Sequence, residues 1–316
     1  MNVRKLDEKT VGVVCAIGAY VFWGILPIYW KFLREVPATE VLAHRILWSL
    51  FFMLCILLVT KRMRSFVDEF RQISSNPKQF AGVIMAALFI SVNWCTYIWA
   101  VNDNRIIETS LGYYINPLVS VLLGILVLKE KLSFWQIVSF VLAVIGVFIM
   151  ALYFGGIPWV SLVLAVSFAF YSLCKKIVNI GAITSITIET IMISPIALIY
   201  VAYIEQQGIG HFAVNSWDIS GFLMGSGVVT AIPLILFAKG ANRLPLALLG
   251  FVQYVSPTIS LLVGIFLFNE AFTIIHCVSF GFIWLALIVF SLAKNRHLIE
   301  FQSILLKKYY VKSQMR

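Results

Sequence analysis

The chain has 316 residues, 61% of them hydrophobic and only 12% charged, with a mean hydropathy of +0.95. A water-soluble domain needs roughly a quarter of its residues charged to clothe its surface, so composition excludes soluble domains. The formal charge of +10 then reads as an orientation signal and an attraction to anionic lipid headgroups, not as a nucleic-acid footprint.

In chain order, ten apolar segments occur near residues 11–33, 39–60, 80–101, 107–128, 134–152, 157–174, 184–204, 219–238, 246–268 and 272–293. Each is close to the roughly 20 residues that carry a helix across the hydrocarbon core. Backbone polar groups cannot stay open in lipid, so the segments are predicted to be helices; strands would alternate over about ten residues instead. The expected fold class is an all-α integral membrane protein with ten transmembrane helices. The first segment is too long for a signal peptide and lacks a small-residue cleavage site, so it is expected to be retained. After the second segment, Phe66, Val67, Phe70 and Ile73 recur at helical spacing among charges. In the tail, Leu298, Ile299, Phe301, Ile304, Leu305 and Leu306 sit among Lys and Glu. Both patterns predict short helices lying on one membrane face, with a frayed end as the alternative for the tail. Gly221, Gly225 and Gly227 in the eighth segment predict close helix packing.

Lys and Arg set the orientation. Twenty of them fall in the N-terminal tail, the loops after even-numbered segments and the C-terminal tail. Lys31, Arg34 and Arg105 are the three on the other side, and Arg45 lies within a segment. Positive residues stay cytoplasmic, so both termini are expected inside, across a bacterial inner membrane.

Two stretches repeat. Residues 114–130 read YINPLVSVLLGILVLKE and residues 254–270 read YVSPTISLLVGIFLFNE, identical at seven of seventeen positions. Phe22-Trp23-Gly24 matches Phe170-Tyr171-Ser172, Glu40 matches Glu189, and Asn104-Arg105 matches Asn242-Arg243 at a similar offset. An odd number of spans, five, separates the copies, so they cross the bilayer in opposite directions. Two inverted five-helix repeats are therefore expected, 1–153 and 154–294, followed by a cytoplasmic tail, 295–316. Inverted repeats with interrupted helices near the midplane are a common way of building alternating access.

The same residues resemble a known family over nearly the whole chain. Ala19-Tyr20, Trp23-Gly24, Val36-Pro37-Ala38, Glu40, His44-Arg45, Asn93-Trp94 and Ile98-Trp99-Ala100-Val101-Asn102 contribute. So do Gln253-Tyr254, Pro257-Thr258 and Phe282-Ile283-Trp284; Ser110 to Leu118, SLGYYINPL, is the most specific stretch. The pattern is similar to the EamA-type permeases of the drug/metabolite transporter superfamily, within them the RarD group. The resemblance implies a ten-helix inner-membrane transporter of two inverted repeats. Where superfamily members commonly carry Gly-Glu after spans 4 and 9, this chain has Lys129-Glu130 and Asn269-Glu270.

Candidate site residues follow from depth. At 1.5 Å per residue, Asn116 lies about 14 Å into span 4 and Pro257 roughly 16 Å into span 9, both near mid-bilayer. Each proline frees the carbonyl four residues earlier, those of Tyr113 and Gln253. Tyr113, Tyr114, Asn116, Gln253 and Tyr254 are therefore expected to contact a small-molecule substrate between spans 4 and 9. Asn93 and Trp94 of span 3 could add an amide and an aromatic wall, or serve as core. Tyr20 and Trp23 are weaker candidates. Arg45 lies about 9 Å inside the surface. It is either an outer gate or anchor for an anionic group, or a side chain snorkelling to the headgroups. Glu40 and His44, one turn apart, could pair, with His44 a proton carrier. Glu40 and Glu189 stand near helix starts, where the helix dipole favours a carboxylate; proton coupling is the sharper alternative.

Other chemistry is not indicated. Five cysteines lie in apolar runs without paired spacing, and the four histidines show no metal-ligand spacing. No phosphate-binding GxxxxGK[ST] loop is present. No cofactor is expected, and the partners are a solute and the bilayer. A second function class stays open, an intramembrane enzyme using Glu40, His44 and Arg45 on a lipid.

Overall fold

The computed structural model describes residues 7–102, 106–153, 159–213, 217–268 and 273–293. Among them the chain forms twelve α-helices and no strand. The first two spans are α1 (Glu8–Lys31) and α2 (Ala38–Val59), followed by the amphipathic α3 (Met63–Ser75). Spans 3 to 5 are α4 (Pro77–Asn102), α5 (Ile106–Leu126) and α6 (Phe134–Tyr153). Spans 6 to 8 are α7 (Trp159–Val178), α8 (Ala182–Gln206) and α9 (Trp217–Arg243). Span 9 comes in two pieces, α10 (Leu246–Gln253) and α11 (Val255–Phe268), and α12 (Ile274–Leu292) is the tenth. Nine of these spans are long and apolar enough to cross a bilayer, and α5 contributes a shorter apolar stretch, Leu111–Leu126. The molecule is a ten-helix membrane protein.

Local signals explain most helix ends. Pro37 and Pro245 immediately precede α2 and α10, where a missing N–H costs nothing. Thr273 caps α12: its hydroxyl accepts from the His276 N–H at 3.4 Å, and His276 Nδ1 accepts from the Thr273 N–H at 3.2 Å. Gly208, at φ +68°, ends α8 with the Ile209 N–H donating to the Ile204 carbonyl at 3.1 Å. That left-handed conformation comes without strain only to glycine, and it turns the chain across the end of α8.

The two copies of the Tyr-x-x-Pro notch fold differently. Pro257 has no N–H to offer the Gln253 carbonyl, and the helix stops there. Tyr254 forms the joint, its N–H reaching back to the Phe251 carbonyl at 3.2 Å in a tighter turn. Pro117, by contrast, is carried inside a continuous α5.

The amphipathic stretch near residues 64–73 is α3, as its pattern predicts. Ile73 is buried, and it packs with Phe66 and Phe80 onto Val83, Val178 and Ile188. The predicted tail helix, the Asn104-Arg105 match and Asn269-Glu270 lie outside the described residues.

Packing follows a simple exchange rule. Helix α7 lies against α4 and α5, while α1 lies against α9, α10 and α11. Helix α2 packs on both α8 and α9, and α8 packs on α4. The pairs α5 with α10 and α6 with α12 complete the list of principal contacts. Counted as spans, exchanging 1–5 with 6–10 returns the same set: 3 on 6 becomes 8 on 1, 4 on 6 becomes 9 on 1, and 2 on 8 becomes 7 on 3. The pairs 2–7, 4–9 and 5–10 map onto themselves. Among the small residues of α9, Gly227 lies directly against the backbone of Trp48 and Ser49 in α2, and its carbonyl accepts from Ser49 Oγ at 3.0 Å. A Cβ added at Gly221 would meet nothing within 4 Å, so the predicted close packing narrows to Gly227 and to Gly225 against Tyr29.

Candidate functional site: a caged arginine between the two halves

Arg45 lies two turns into α2 and does not reach for the headgroups. Its Nε donates to Thr230 Oγ1 of α9 at 3.0 Å. The guanidinium carbon stands 4.8 Å from the ring centre of Trp30 in α1 and 5.2 Å from that of Trp94 in α4. Tryptophan faces attract a guanidinium, most strongly where water is excluded. Tyr97 and Tyr113 lie within electrostatic reach of the charge, their rings 6.0 Å apart. Tyr113 keeps 37% of its surface open. Five helices, four from the first half and α9 from the second, thus converge on one cation.

One end of α2 is tied down by a separate cluster. Glu40, 1% exposed, accepts from the His211 N–H at 2.7 Å and shares a hydrogen bond with His211 Nδ1 at 2.9 Å. The expected Glu40–His44 pair does not form. The His44 ring stacks on Phe212 instead, 5.0 Å between centres, and its buried Nε2 has no partner among the described residues. The segment after Gly208 is therefore strapped across the ends of α2 and α8. Glu40, His44 and Arg45, adjacent in sequence, point to three different partners rather than to one reaction centre.

The notch residues are mostly committed to holding helices together. Asn116 Nδ2 donates to the Ala165 carbonyl at 2.7 Å. Asn93 Nδ2 donates to the Leu164 carbonyl at 2.9 Å and lies 3.0 Å from Ser167 Oγ. Both amides therefore grip adjacent carbonyls in one turn of α7. Tyr254 Oη donates to the Tyr114 carbonyl at 3.3 Å, and the Tyr114 ring packs edge-on to Phe280, 5.2 Å away. Gln253 is buried at the end of α10. Of the seven expected substrate contacts, Trp94 and Tyr113 lie near Arg45; Asn93, Tyr114, Asn116 and Tyr254 spend their polar groups or rings on interhelical contacts. Tyr20 and Trp23 join Phe168, Tyr171 and Phe237 in an aromatic cluster, the Tyr20 and Trp23 rings 5.5 Å apart. Trp99 stays exposed, 5.2 Å from Trp159, as an interface anchor would.

Glu189 is not at its helix start. It lies two turns into α8, buried, and forms an ion pair with Lys175 of α7. Ser185 Oγ lies 2.7 Å from Lys175 Nζ and donates to Glu189 Oε1 at 2.8 Å, and Tyr171 Oη donates to Oε2 at 3.4 Å. The helix dipole is thus not its partner. Lys175, counted from sequence among the loop charges, is 4% exposed because α7 runs on to Val178. Sequence reasoning missed this pair. The signal was there in the rule that an ionisable residue inside a membrane usually has a partner within the bundle. A cavity of about 10 Å³, room for about one water, touches Glu189, Ser49, Thr190 and Trp94.

Glu130, the last residue of the first repeat copy, was also missed. Its carboxylate accepts from the Leu246 and Ala247 N–H groups at 2.6 and 2.9 Å. It caps the first turn of α10, in the other half, where the helix dipole favours a negative charge. At the same end a cleft of about 500 Å³ opens among α1, α2, α3, the 179–184 turn and α9, lined by Glu8, Arg62, Glu69, Asn179, Lys239 and Arg243. Among the described residues no group of His, Cys, Asp and Glu could hold a metal ion.

Comparison with known proteins agrees with this architecture. Residues 10–152 match the model of the EamA-like transporter family. The chain is 44% identical over 288 residues to the uncharacterized transporter YojE of Bacillus subtilis, covering 91% of this chain and 95% of that one. It is 40% identical over 287 residues to the protein RarD of Salmonella typhi, covering 90% and 96%. A crystal structure at 16% identity superposes with a TM-score of 0.68 over 90% of this chain and 97% of the other, which speaks for the fold alone. With relatives of that identity spanning nearly its whole length, the chain belongs to the EamA family of membrane transporters, as a RarD-type permease.

Proposed function

We propose that this permease moves a small amphipathic solute across the bacterial inner membrane by alternating access, with the solute held in the Arg45 cavity. The observation that carries the proposal is the cage itself. An arginine inside a spanning helix costs about 2.5–3.5 kcal/mol on insertion scales, and such residues mark solute pathways when they face the bundle interior. Here the guanidinium is held by Thr230, Trp30 and Trp94, at the meeting of the two halves.

The repeats 1–153 and 154–294 would be related by inversion, and the exchange symmetry of the packing supports this. Rocking one half against the other would open the cavity to each side in turn. The excess of Lys and Arg at the α3 end makes that end cytoplasmic. In this scheme the Glu40–His211 strap stands at the outer end and the cleft of about 500 Å³ at the inner end. Glu40 and His44 are the outer gate in this scheme. Trp94 and Tyr113 touch the solute, Asn93, Tyr114, Asn116, Gln253 and Tyr254 shape the walls, and Glu189, paired with Lys175, braces the bundle.

The test uses purified protein in liposomes, screened with a metabolite extract for solutes that exchange across the membrane. Single cysteines at Phe212 and Asn179, on a background lacking the five native cysteines, report on the two ends. A transported solute should change their labelling in opposite directions. Both ends reacting together would mean a channel. A covalently altered lipid or solute would mean an enzyme.

A further inference from the structure

We infer that the solute carries a carboxylate, and that Arg45 receives it end-on, with the apolar part of the solute against Trp94, Tyr97 and Tyr113. This inference rests on the Arg45 cavity being the solute site proposed above, and it goes beyond that reading by fixing the chemical class.

Three observations support it. The first is hydrogen-bond geometry. A guanidinium has five N–H donors in a planar fork. Thr230 takes the one on Nε. Among the described residues no protein group accepts from either terminal nitrogen, and neither is a fully buried atom without a partner. Those two nitrogens present parallel N–H bonds at the spacing of carboxylate oxygens, the arrangement that makes arginine a bidentate receptor.

The second is charge. Of the other deep ions of the described spans, Lys175 pairs with Glu189. Glu40 is held by both the backbone and the ring of His211. Neither carboxylate is spent on Arg45, which has no carboxylate partner among the described residues, so a monoanion at the fork would neutralise the guanidinium where it stands. In a low-dielectric site that neutralisation is strongly favoured over the binding of a neutral or cationic solute.

The third is shape. Trp30 and Trp94 lie 4.8 and 5.2 Å from the guanidinium carbon, which limits how the fork can turn. The Nε bond to Thr230 fixes which edge faces away from α9. Tyr97 and Tyr113 then offer ring faces for an apolar group and hydroxyls for a second polar contact. An amphipathic acid with a planar apolar body fits this set. A lysine at position 45 would keep the charge but lose the fork.

The experiment is calorimetric titration of the purified full-length protein with three matched probe series. One is carboxylates (benzoate, phenylacetate, hexanoate), one their neutral amides, and one the corresponding amines. Phenyl phosphate is added as a second anion. The expected result is binding of at least one carboxylate, with its amide weaker by about tenfold or more. Arg45→Gln should remove the acid preference and Arg45→Lys should retain only part of it, while Trp217→Phe, at a 90% exposed position, changes nothing. Because Arg45→Gln could disturb folding, the acid-against-amide comparison on the unmodified protein stands as a separate test. Amides or amines binding as well as acids would overturn the inference. So would phenyl phosphate binding where no carboxylate does, or no carboxylate binding up to its solubility limit. Liposome flux separates the two proposals: acid binding without flux defeats the transport reading, whereas flux confined to neutral or cationic solutes defeats the carboxylate.

Discussion

At the scale of single residues, the contrast is between polar groups that brace the fold and the one charge proposed to receive a solute. Lys175 and Glu189 brace it. Both are buried, so removing one leaves the other as an uncompensated interior charge, at a cost of about 3–5 kcal/mol. Lys175→Met or Glu189→Leu alone should therefore sharply lower the thermal unfolding midpoint of the detergent-purified protein. The double variant should recover most of that loss, because a well-packed apolar pair avoids the desolvation of two ions. Equal loss in the double variant would show that the pair's surroundings, not its charge balance, set the stability. Asn116 makes a second case. From sequence it is a substrate contact, yet its amide is spent on the Ala165 carbonyl. Asn116→Ala leaves that carbonyl short of a donor, and a destabilisation of about 1–3 kcal/mol is expected. The measurement that matters is the comparison with Arg45→Gln. Asn116→Ala should lower the melting temperature more than it lowers affinity for any bound carboxylate. The reverse order would return Asn116 to the site.

At the scale of elements, two contacts join the halves in ways the chain order conceals. The carboxylate of Glu130 caps α10 across more than a hundred residues of sequence. Glu130→Ala should cost roughly 1–2 kcal/mol, the upper part of the range for lost caps, and Glu130→Gln less because one acceptor survives. Hydrogen exchange should report the damage at the first turn of α10 and not along α5, where Glu130 itself is attached. Helices α2 and α9 meet where Gly227 faces the backbone of Trp48 and Ser49. A Cβ there overlaps backbone atoms, which cannot swing aside as a flexible side chain would. Gly227→Ala should therefore force α2 and α9 apart, at a cost of about 1–3 kcal/mol, and displace Arg45 relative to Thr230. Gly221→Ala, with nothing in its way, is the matched control. If both variants melt alike, the close approach is not what holds these helices.

At the scale of the whole molecule, orientation and movement are the open quantities, and each has its own measurement. With the α3 end cytoplasmic, a cysteine placed at Ser74 should be silent to an impermeant thiol reagent in intact cells and react after lysis. Labelling in intact cells would reverse the assignment. The strap between Glu40 and His211 should act as a latch on the outer end. Glu40→Gln keeps the volume but weakens a charge-assisted bond to the His211 N–H. Exposure of a cysteine at Phe212 should rise in that variant several-fold, while the cysteine at Asn179 reports less exposure of the inner cleft.

The sequence by itself determined the membrane class, the ten spans and the amphipathic α3. These depend on composition, on segment length against a fixed bilayer thickness, and on local periodicity, all carried by residues near one another in the chain. It also singled out Arg45 as a charge needing an explanation, because charge and depth can be counted without coordinates. It did not decide which explanation holds. That needed Trp30, Trp94 and Thr230, which come from three other helices and bear no spacing relation to position 45. The same limit applies to the notch residues. Asn116 and Tyr254 were legible as polar groups at mid-depth, but depth does not say which way a helix is rotated. Rotation is set by packing, and packing turned Asn116 toward Ala165 and Tyr254 toward Tyr114 while leaving Tyr113 exposed. Tertiary structure also moved Lys175 from the loop charges to the core, since only the placement of α8 beside α7 brings Glu189 within reach.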